Sequence, residues 1–284
     1  MHLQNYDTST RYQAEVVSTE RITPETTDEV REIRLEFTAA DFGAGPGQCV
    51  GVIAPGSPEF GQQEHLRLYT LADMPETKGG RTRVTLCVRR CQYIDDYSGE
   101  RYDGLCSNYL CDLSQGDEVT LTGPYGQVFP VPDEPGANLM LIGAGTGIAP
   151  FRGFLKQIFR GEPPFDGKVR LFHGARTGLD MLYRNSERDD LSLYYDRDTF
   201  EAIDALASRP HWSDDIDWSG AMESRASEIS RLLDDVKTHV YVAGREQIAE
   251  RLDEVFSRLL DSPTRWARRK AEMAAGGRWV EILY

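Results

Sequence analysis

The 284-residue sequence lacks the marks of several protein classes. No apolar run approaches the ~20 residues of a helical membrane span. The N-terminal stretch MHLQNYDTST is polar and carries no signal-peptide core, so a cytoplasmic protein is expected. Basic residues are in deficit: 32 Lys and Arg stand against 46 Asp and Glu, for a net charge of -14. That balance argues against general nucleic-acid binding and against adhesion to an anionic membrane. Cysteines are few and odd in number: Cys49, Cys87, Cys91, Cys106 and Cys111. An odd set without a secretory signal argues against a disulfide framework. The spacings Cys87-x3-Cys91 and Cys106-x4-Cys111 fit no iron–sulfur ligand run. Buried small thiols are expected instead. There is no internal repeat and no low-complexity tract, and nothing in the sequence sets an oligomeric state.

What is present is an ordinary globular composition, with 40% hydrophobic and 27% charged residues. The length suits roughly two domains at about 150 residues each. Residues 1–133 read as all-β. Ala14 to Ile22 and Glu29 to Phe37 alternate, with Ile33, Leu35 and Phe37 on one face and Arg34 and Glu36 on the other. Further strands run through Gln48 to Val52, His65 to Ala72, Thr82 to Arg90 and Glu118 to Thr122, separated by Gly/Pro turns. Short strands at this spacing predict an antiparallel barrel. Cys106 to Leu113 reads as a short helix capping it. Val131 to Gly136 (VPDEPG) is a linker.

Residues 134–284 change pattern to strands alternating with helices, which predicts a parallel α/β sheet. The organising stretch is Leu139 to Leu155, LMLIGAGTGIAPFRGFL. It reads as a buried strand, a turn through Gly143, Gly145 and Gly147, and an amphipathic helix with Pro150 near its start. Such a turn aims free backbone N–H groups and a positive helix end at one spot, which suits a pyrophosphate. The pattern is neither GxGxxG nor a P-loop. Strands over Lys168 to His173 and Thr238 to Ala243, helices over Glu246 to Leu260 and Pro263 to Ala275, and a strand from Trp279 to Tyr284 follow. Over Asp198 to Ser208, Phe200, Ile203 and Leu206 have helical spacing, and periodicity alone favours a helix.

Arg67-Leu-Tyr-Thr70, Leu86-Cys-Val-Arg-Arg90, Gly104-Leu-Cys-Ser-Asn-Tyr-Leu-Cys-Asp112, Gly143-Ala-Gly-Thr-Gly-Ile-Ala-Pro-Phe151, Met181-Leu-Tyr183 and the final Tyr284 occur in this order. Together they resemble the plant-type ferredoxin–NADP⁺ reductases over nearly the whole chain. The resemblance implies an antiparallel Greek-key β-barrel for FAD over 1–133, followed by a Rossmann-like α/β domain for NADP(H) over 134–284. It implies that Arg67 holds the FAD pyrophosphate, for which a guanidinium fork is suited. Leu68 lies between the motif residues. Tyr69 would lie against the flavin ring, and Thr70, where the family usually has Ser, would hydrogen-bond near flavin N5. Arg67 and Tyr69 share one strand face and Thr70 takes the other. Cys87 and Val88 would pass the flavin ribityl and adenosine, and Arg89 would reach the nicotinamide nucleotide's phosphates. Tyr93 would stack on the FAD adenine. Gly104, Leu105, Cys106 and Ser107 would offer helix N–H groups to the FAD diphosphate.

In the second domain the resemblance places Gly143, Gly145, Thr146 and Gly147 at the NADP pyrophosphate. Arg176 follows a strand end, where open α/β sheets bind ligands. Ser208 and Arg209 would bind the adenosine 2′-phosphate and Trp218 would stack on that adenine. This alignment makes Phe200 to Ala207 a strand, against the periodicity. Tyr284 would occupy the nicotinamide's place on the flavin and yield it for hydride transfer. Ile148 to Phe151 would lie beside a flavin-facing cleft.

Two departures touch the nicotinamide pocket. Ala243 stands where the family commonly has Cys. Ile282, not Glu, lies two residues before Tyr284, and Glu281 falls on the opposite strand face. The implied activity is electron transfer between NADP(H) and a one-electron iron–sulfur carrier such as ferredoxin, with direction open. Arg81, Arg83, Arg89, Arg90, Arg265, Arg268, Arg269 and Lys270 are candidates for basic patches facing an acidic ferredoxin, or for ordinary solvated charge. Two other readings stay open. One is a reductase component of an oxygenase system using NADPH or NADH. The other is a non-enzymatic flavin-bound redox sensor or assembly subunit.

Overall fold

The computed structural model describes residues 6–57, 61–94, 97, 99–194, 198–210 and 215–284. The opening pentapeptide of the polar N-terminal stretch lies outside them. The chain forms two compact units, Met1–Phe129 with Ala149–Gln157, and Pro130–Ile148 with Ile158–Tyr284.

The first unit is built on strands β1 (Arg11–Arg21), β2 (Val30–Thr38), β3 (Cys49–Pro55), β4 (Glu64–Thr70), β5 (Glu76–Lys78) and β6 (Arg81–Arg89). A hairpin of β7 (Gln92–Ile94) and β8 (Arg101–Asp103), helix α1 (Leu105–Asp112) and strand β9 (Glu118–Tyr125) complete it. The seven-stranded sheet has the order β4-β3-β9-β1-β2-β6-β5, with antiparallel pairings throughout. A bridge between Leu71 and Leu86 joins the end of β4 to β6 and curls the sheet towards a barrel. The alternation read in the sequence sets the inside: Ile33, Leu35 and Phe37 on β2 are at most 1% exposed. They pack with Ala14, Val16, Val50, Val52 and Leu121, and α1 contributes Cys106, Leu110 and Cys111 to the same core. Each such large side chain contributes about 1.5–3 kcal/mol of burial.

The second unit is a five-stranded parallel sheet. Its elements are β10 (Asn138–Ala144), α2 (Ala149–Arg160), β11 (Val169–Ala175), β12 (Phe200–Leu206), α3 (Trp218–Glu223), α4 (Ala226–Asp234), β13 (Thr238–Gly244), α5 (Gln247–Leu259), α6 (Pro263–Ala275) and β14 (Trp279–Leu283). A 3₁₀ turn over Gly145–Ile148 links β10 to α2, whose residues Ala149–Gln157 group with the first unit. The sheet order is β12-β11-β10-β13-β14. Helix α6 starts as its sequence requires: Ser262 Oγ accepts from Arg265 N–H at 3.2 Å and Pro263 takes the first turn. Phe256, Trp266 and Trp279 pack edge to face or tilted at 4.7–6.1 Å between α5, α6 and β14. No described helix is long and apolar enough to cross a membrane.

Here the resemblance is borne out against the helical periodicity. Phe200 to Leu206 is a strand, not a helix. Its whole length pairs with β11 in parallel register, from Phe200 opposite Val169 to Leu206 opposite Ala175. As an edge strand it needs few deeply buried positions, and only Phe200 and Ala205 are buried. The three-residue spacing of Phe200, Ile203 and Leu206 marks no helix face. Backbone pairing overrides propensity.

Candidate functional site

In the first unit the chemistry gathers where β4 meets the first turn of α1. Arg67 is exposed, and among the described residues its guanidinium bonds only the Leu66 carbonyl, at 3.1 Å. Tyr69 is half-buried and hydrogen-bonds the Cys106 thiol, and Arg67 lies within electrostatic reach of that same thiol. Strand face and helix start therefore converge. Burial, reinforced by Cys106, raises the Tyr69 phenol well above its ordinary value, so it stays neutral. Burial pushes the Cys106 thiol up to about 11 against the opposing effects of Tyr69 and Arg67.

Helix α1 begins at Gly104 with no side-chain cap. Its leading N–H groups have no partner within the helix and suit an anion. Ser107 is not free to serve the same purpose by its hydroxyl. It donates to the Gly104 carbonyl and accepts from Cys91 N–H, both at 3.2 Å, and a Cβ on Gly104 would lie 2.8 Å from it. Leu105 is exposed and Leu68 half-buried.

On the other face of β4, Thr70 Oγ1 lies 3.5 Å from Cys49 Sγ, its cross-strand partner. Cys87 and Val88 are buried in β6, and Arg89 pairs with Asp28 at 2.6 Å. Tyr93 is 58% exposed and stacks on Tyr102, its partner across the β7–β8 hairpin, with centroids 5.5 Å apart. The sequence motifs do not include Tyr102, and Cys49 enters them only as one of five thiols expected to be buried. Tyr102 was legible as the second exposed aromatic of a hairpin; Cys49 had no signal beyond its strand position.

The thiols divide more sharply than the sequence suggested. Cys87, Cys106 and Cys111 are buried, Cys49 is intermediate and Cys91 is exposed. Burial pushes Cys111 up to about 12. Iodoacetamide at neutral pH is expected to alkylate native protein first at Cys91, at least tenfold faster than at Cys106 or Cys111, because the thiolate is the nucleophile. Peptide mass mapping over a time course checks this. Equal labelling of Cys106 would show that α1 does not bury it.

In the second unit the chain runs outward from β10 through β11 to β12 and returns to β13 on β10's other side. The strand ends of β10 and β13 thus flank a topological switch point, where open α/β sheets take ligands. The Gly143–Gly147 turn lies there. Gly145 has φ +54. A Cβ on Gly147 would fall 2.2 Å from the Ala243 carbonyl oxygen, so the turn packs on β13 only as glycine. Tyr284 is 55% exposed, yet its hydroxyl lies 2.6 Å from Thr146 Oγ1 and its N–H donates to Gly244 O at 3.1 Å. Ala243 and Ile282 pair in register between β13 and β14. Glu281 faces elsewhere, accepting from Trp279 Nε1 at 2.6 Å and pairing with Lys270 at 3.1 Å.

Arg176, just past β11, lies 3.5 Å from Asp180, which also caps the following turn through Thr177. Ser208 and Arg209 are exposed just past β12, and Arg209 has no ion pair among the described residues. Trp218 does not fit an adenine platform. It is 4% exposed in the core and lies over Gly174, where a Cβ would come within 2.6 Å of its ring. No free ring face remains to stack on a ligand. The proposed basic patches are also neutralised. Arg81 and Arg83 share Glu36, and Arg89 pairs with Asp28. Arg90 lies between Glu29 and Asp112, and Arg265 and Arg269 share Asp234. Arg268 pairs with Glu272, and Lys270 with Asp253 and Glu281.

The oxidoreductase FAD-binding domain matches residues 13–129, and the oxidoreductase NAD-binding domain matches residues 141–254. A barrel with an open helix start and a parallel sheet with a glycine turn at its switch point thus define a flavin- and nicotinamide-nucleotide-binding oxidoreductase class. The chain is 31% identical over 268 residues to the ferredoxin–NADP reductase of Synechocystis sp., covering 90% of this chain and 63% of that one. It is 34% identical over 246 residues to the chloroplastic leaf isozyme 1 of Arabidopsis thaliana, covering 84% and 67%. It spans a little under two-thirds of the cyanobacterial relative's length. In fold it is similar to ferredoxin–NADP⁺ reductase from Plasmodium falciparum with 2′P-AMP, with a TM-score of 0.71 and 17% identity over 99% of this chain and 98% of that one. The chain belongs to the ferredoxin–NADP reductase family.

Proposed function

We propose that the chain is an FAD-dependent enzyme moving electrons between NADP(H) and a one-electron iron–sulfur carrier such as ferredoxin. The observation that carries this reading is the Tyr284–Thr146 contact at 2.6 Å, which anchors an exposed aromatic ring on the glycine turn of the switch point. An aromatic there competes with the nicotinamide for one seat. The donor set of the first unit fits FAD. Arg67 and the uncapped start of α1 would hold its diphosphate, and Tyr93 with Tyr102 would face its adenine. Tyr69, kept neutral, would lie against the ring system, and Thr70 would present a hydroxyl held by Cys49. Bound FAD would supply the redox chemistry, taking two electrons from the nicotinamide and releasing them singly.

In the second unit Gly143, Gly145, Thr146 and Gly147 would receive the NADP diphosphate, with Arg176 at the neighbouring strand end. Exposed Ser208 and Arg209 favour NADP(H) over NAD(H), because a 2′-phosphate would give that guanidinium a charge-assisted partner. The domain limits that go with this reading are 1–133 for FAD and 134–284 for NADP(H). Five free cysteines fit a reducing, cytoplasmic setting.

The test is the visible spectrum of the flavin-loaded protein before and after anaerobic NADPH, then after oxidised ferredoxin. Bleaching by NADPH and recovery with ferredoxin are expected. A yellow protein that NADPH leaves unchanged would sink the enzyme reading. Bleaching by NADH as fast as by NADPH would remove Ser208 and Arg209 from the site. Tyr284→Ser is expected to tighten NADP⁺ binding by up to about tenfold, since one neutral hydrogen bond is worth about 0.5–1.5 kcal/mol. Difference-spectral titration reads it, and an unchanged dissociation constant would show that Tyr284 does not guard the seat.

A further inference from the structure

We propose that Tyr102 is a specificity residue for the flavin nucleotide. It fixes the ring of Tyr93 as a platform with one open face, and so favours a flavin that carries adenine over one that does not. The proposal deepens the reading above and rests on it, since it takes FAD as the cofactor. The two rings are direct partners across the β7–β8 hairpin, with centroids 5.5 Å apart and planes 23° apart. Each strand has three residues, and among the described residues the two form a sheet of their own. A lone two-stranded hairpin is marginal in water. Its cross-strand side-chain pairs therefore decide whether it keeps one shape.

The base of the hairpin is tied to helix α1. Cys91, just before β7, donates its N–H to Ser107 Oγ at 3.2 Å, and its carbonyl accepts from Gly104 N–H and Asn108 Nδ2, both at 2.9 Å. These bonds set the hairpin beside the start of α1, where the diphosphate would sit. Gln92 Nε2 donates to Asp103 Oδ1 at 2.9 Å one residue further out, and the tyrosine pair comes next. Tyr102 is itself held, its hydroxyl donating to Glu100 Oε2 at 2.6 Å. Tyr93 is still 58% exposed with Tyr102 on one face, so its other face is open to water. An adenine on that face completes a three-ring stack with Tyr93 in the middle. Tyr102 orders the platform before the cofactor arrives, which removes a cost from binding. An offset stack of this kind is worth about two- to tenfold in affinity. Flavin mononucleotide has no adenine and gains nothing from it.

The experiment loads the full chain with FAD or with flavin mononucleotide, dilutes it in steps, and reads released flavin by its fluorescence. The natural protein is expected to hold FAD more tightly than the mononucleotide. Tyr102→Ala is expected to weaken FAD by about two- to tenfold and to leave the mononucleotide unchanged. Tyr102→Phe keeps the ring and loses the bond to Glu100, and is expected to hold FAD as the natural protein does. Unchanged FAD binding in Tyr102→Ala would overturn the proposal. So would tighter binding, which would make Tyr102 a competitor of adenine for Tyr93. Equal weakening of both flavins would mean a general loosening of the first unit, and a Phe variant as weak as the Ala variant would assign the effect to the hydroxyl; either result overturns it. A natural protein that releases FAD as readily as the mononucleotide would sink the adenine seat itself, and the proposal with it, whereas an FAD preference untouched by Tyr102→Ala sinks the proposal alone.

Discussion

Replacing Arg152 by Met is expected to cost about 3–5 kcal/mol, the usual penalty for removing one partner of a buried ion pair. Arg152 lies on the part of α2 that groups with the first unit, and it is 4% exposed. Its Nη1 lies 2.8 Å from Asp73 Oδ2 and 3.4 Å from Glu32 Oε2, and it also donates to the Ala72 carbonyl at 3.3 Å. Lys156, one turn on, also pairs with Asp73. Glu32 is 1% exposed and keeps Arg34 at 2.7 Å. Without the guanidinium, Glu32 keeps Arg34 and Asp73 keeps Lys156, but the buried Glu32 Oε2, Asp73 Oδ2 and the Ala72 carbonyl each lose the cation that faces them. Thermal unfolding should shift down by on the order of 10 °C. The double change Arg152→Met with Glu32→Leu should lose much less, because two charges leave the interior together. A double variant as unstable as the single one would mean that packing, not charge, explains the loss.

That network shows where sequence reading stops. The alternation of β2 was legible, and Ile33, Leu35 and Phe37 do face the core. The same alternation set Arg34 and Glu36 on the opposite face. Glu32 lies on that opposite face and is buried nonetheless, because α2 covers it. A two-residue period reports the faces of a strand, not what later packs on them. The elements around the candidate sites were readable for a related reason. Gly143 to Gly147, Pro150, and Ser262 with Pro263 carry backbone constraints that act within a few residues. The end of β12 was not readable by period, since an edge strand buries little of its surface. Trp218 was placed by order along the chain. Only the missing Cβ of Gly174 shows why its ring is drawn inward.

His173 carries the second large expectation. It lies on β11, in register with Gly143 on β10 and Asp204 on β12, and is fully buried. Among the described residues neither ring nitrogen has a hydrogen-bond partner. Burial, with a smaller effect from Arg184, lowers its pKa from 6.5 to about 3. Between these values the unfolded chain binds a proton that the folded chain refuses. The stability that neutral His173 contributes is therefore complete above pH ~6.5 and drains away as the pH falls towards about 3. Each pH unit in that window costs about 1.4 kcal/mol, or roughly 4 kcal/mol across it. His65 and His239 are shifted the same way, so the slope of the natural protein alone does not isolate His173. The difference from His173→Phe does. Phe keeps an aromatic ring of similar shape with no proton to refuse, so its denaturant-unfolding free energy should fall less steeply between pH 6.5 and pH 4.5. Parallel curves for the two proteins would mean that the imidazole takes up its proton in the folded state, and that β11 is open to water at that position.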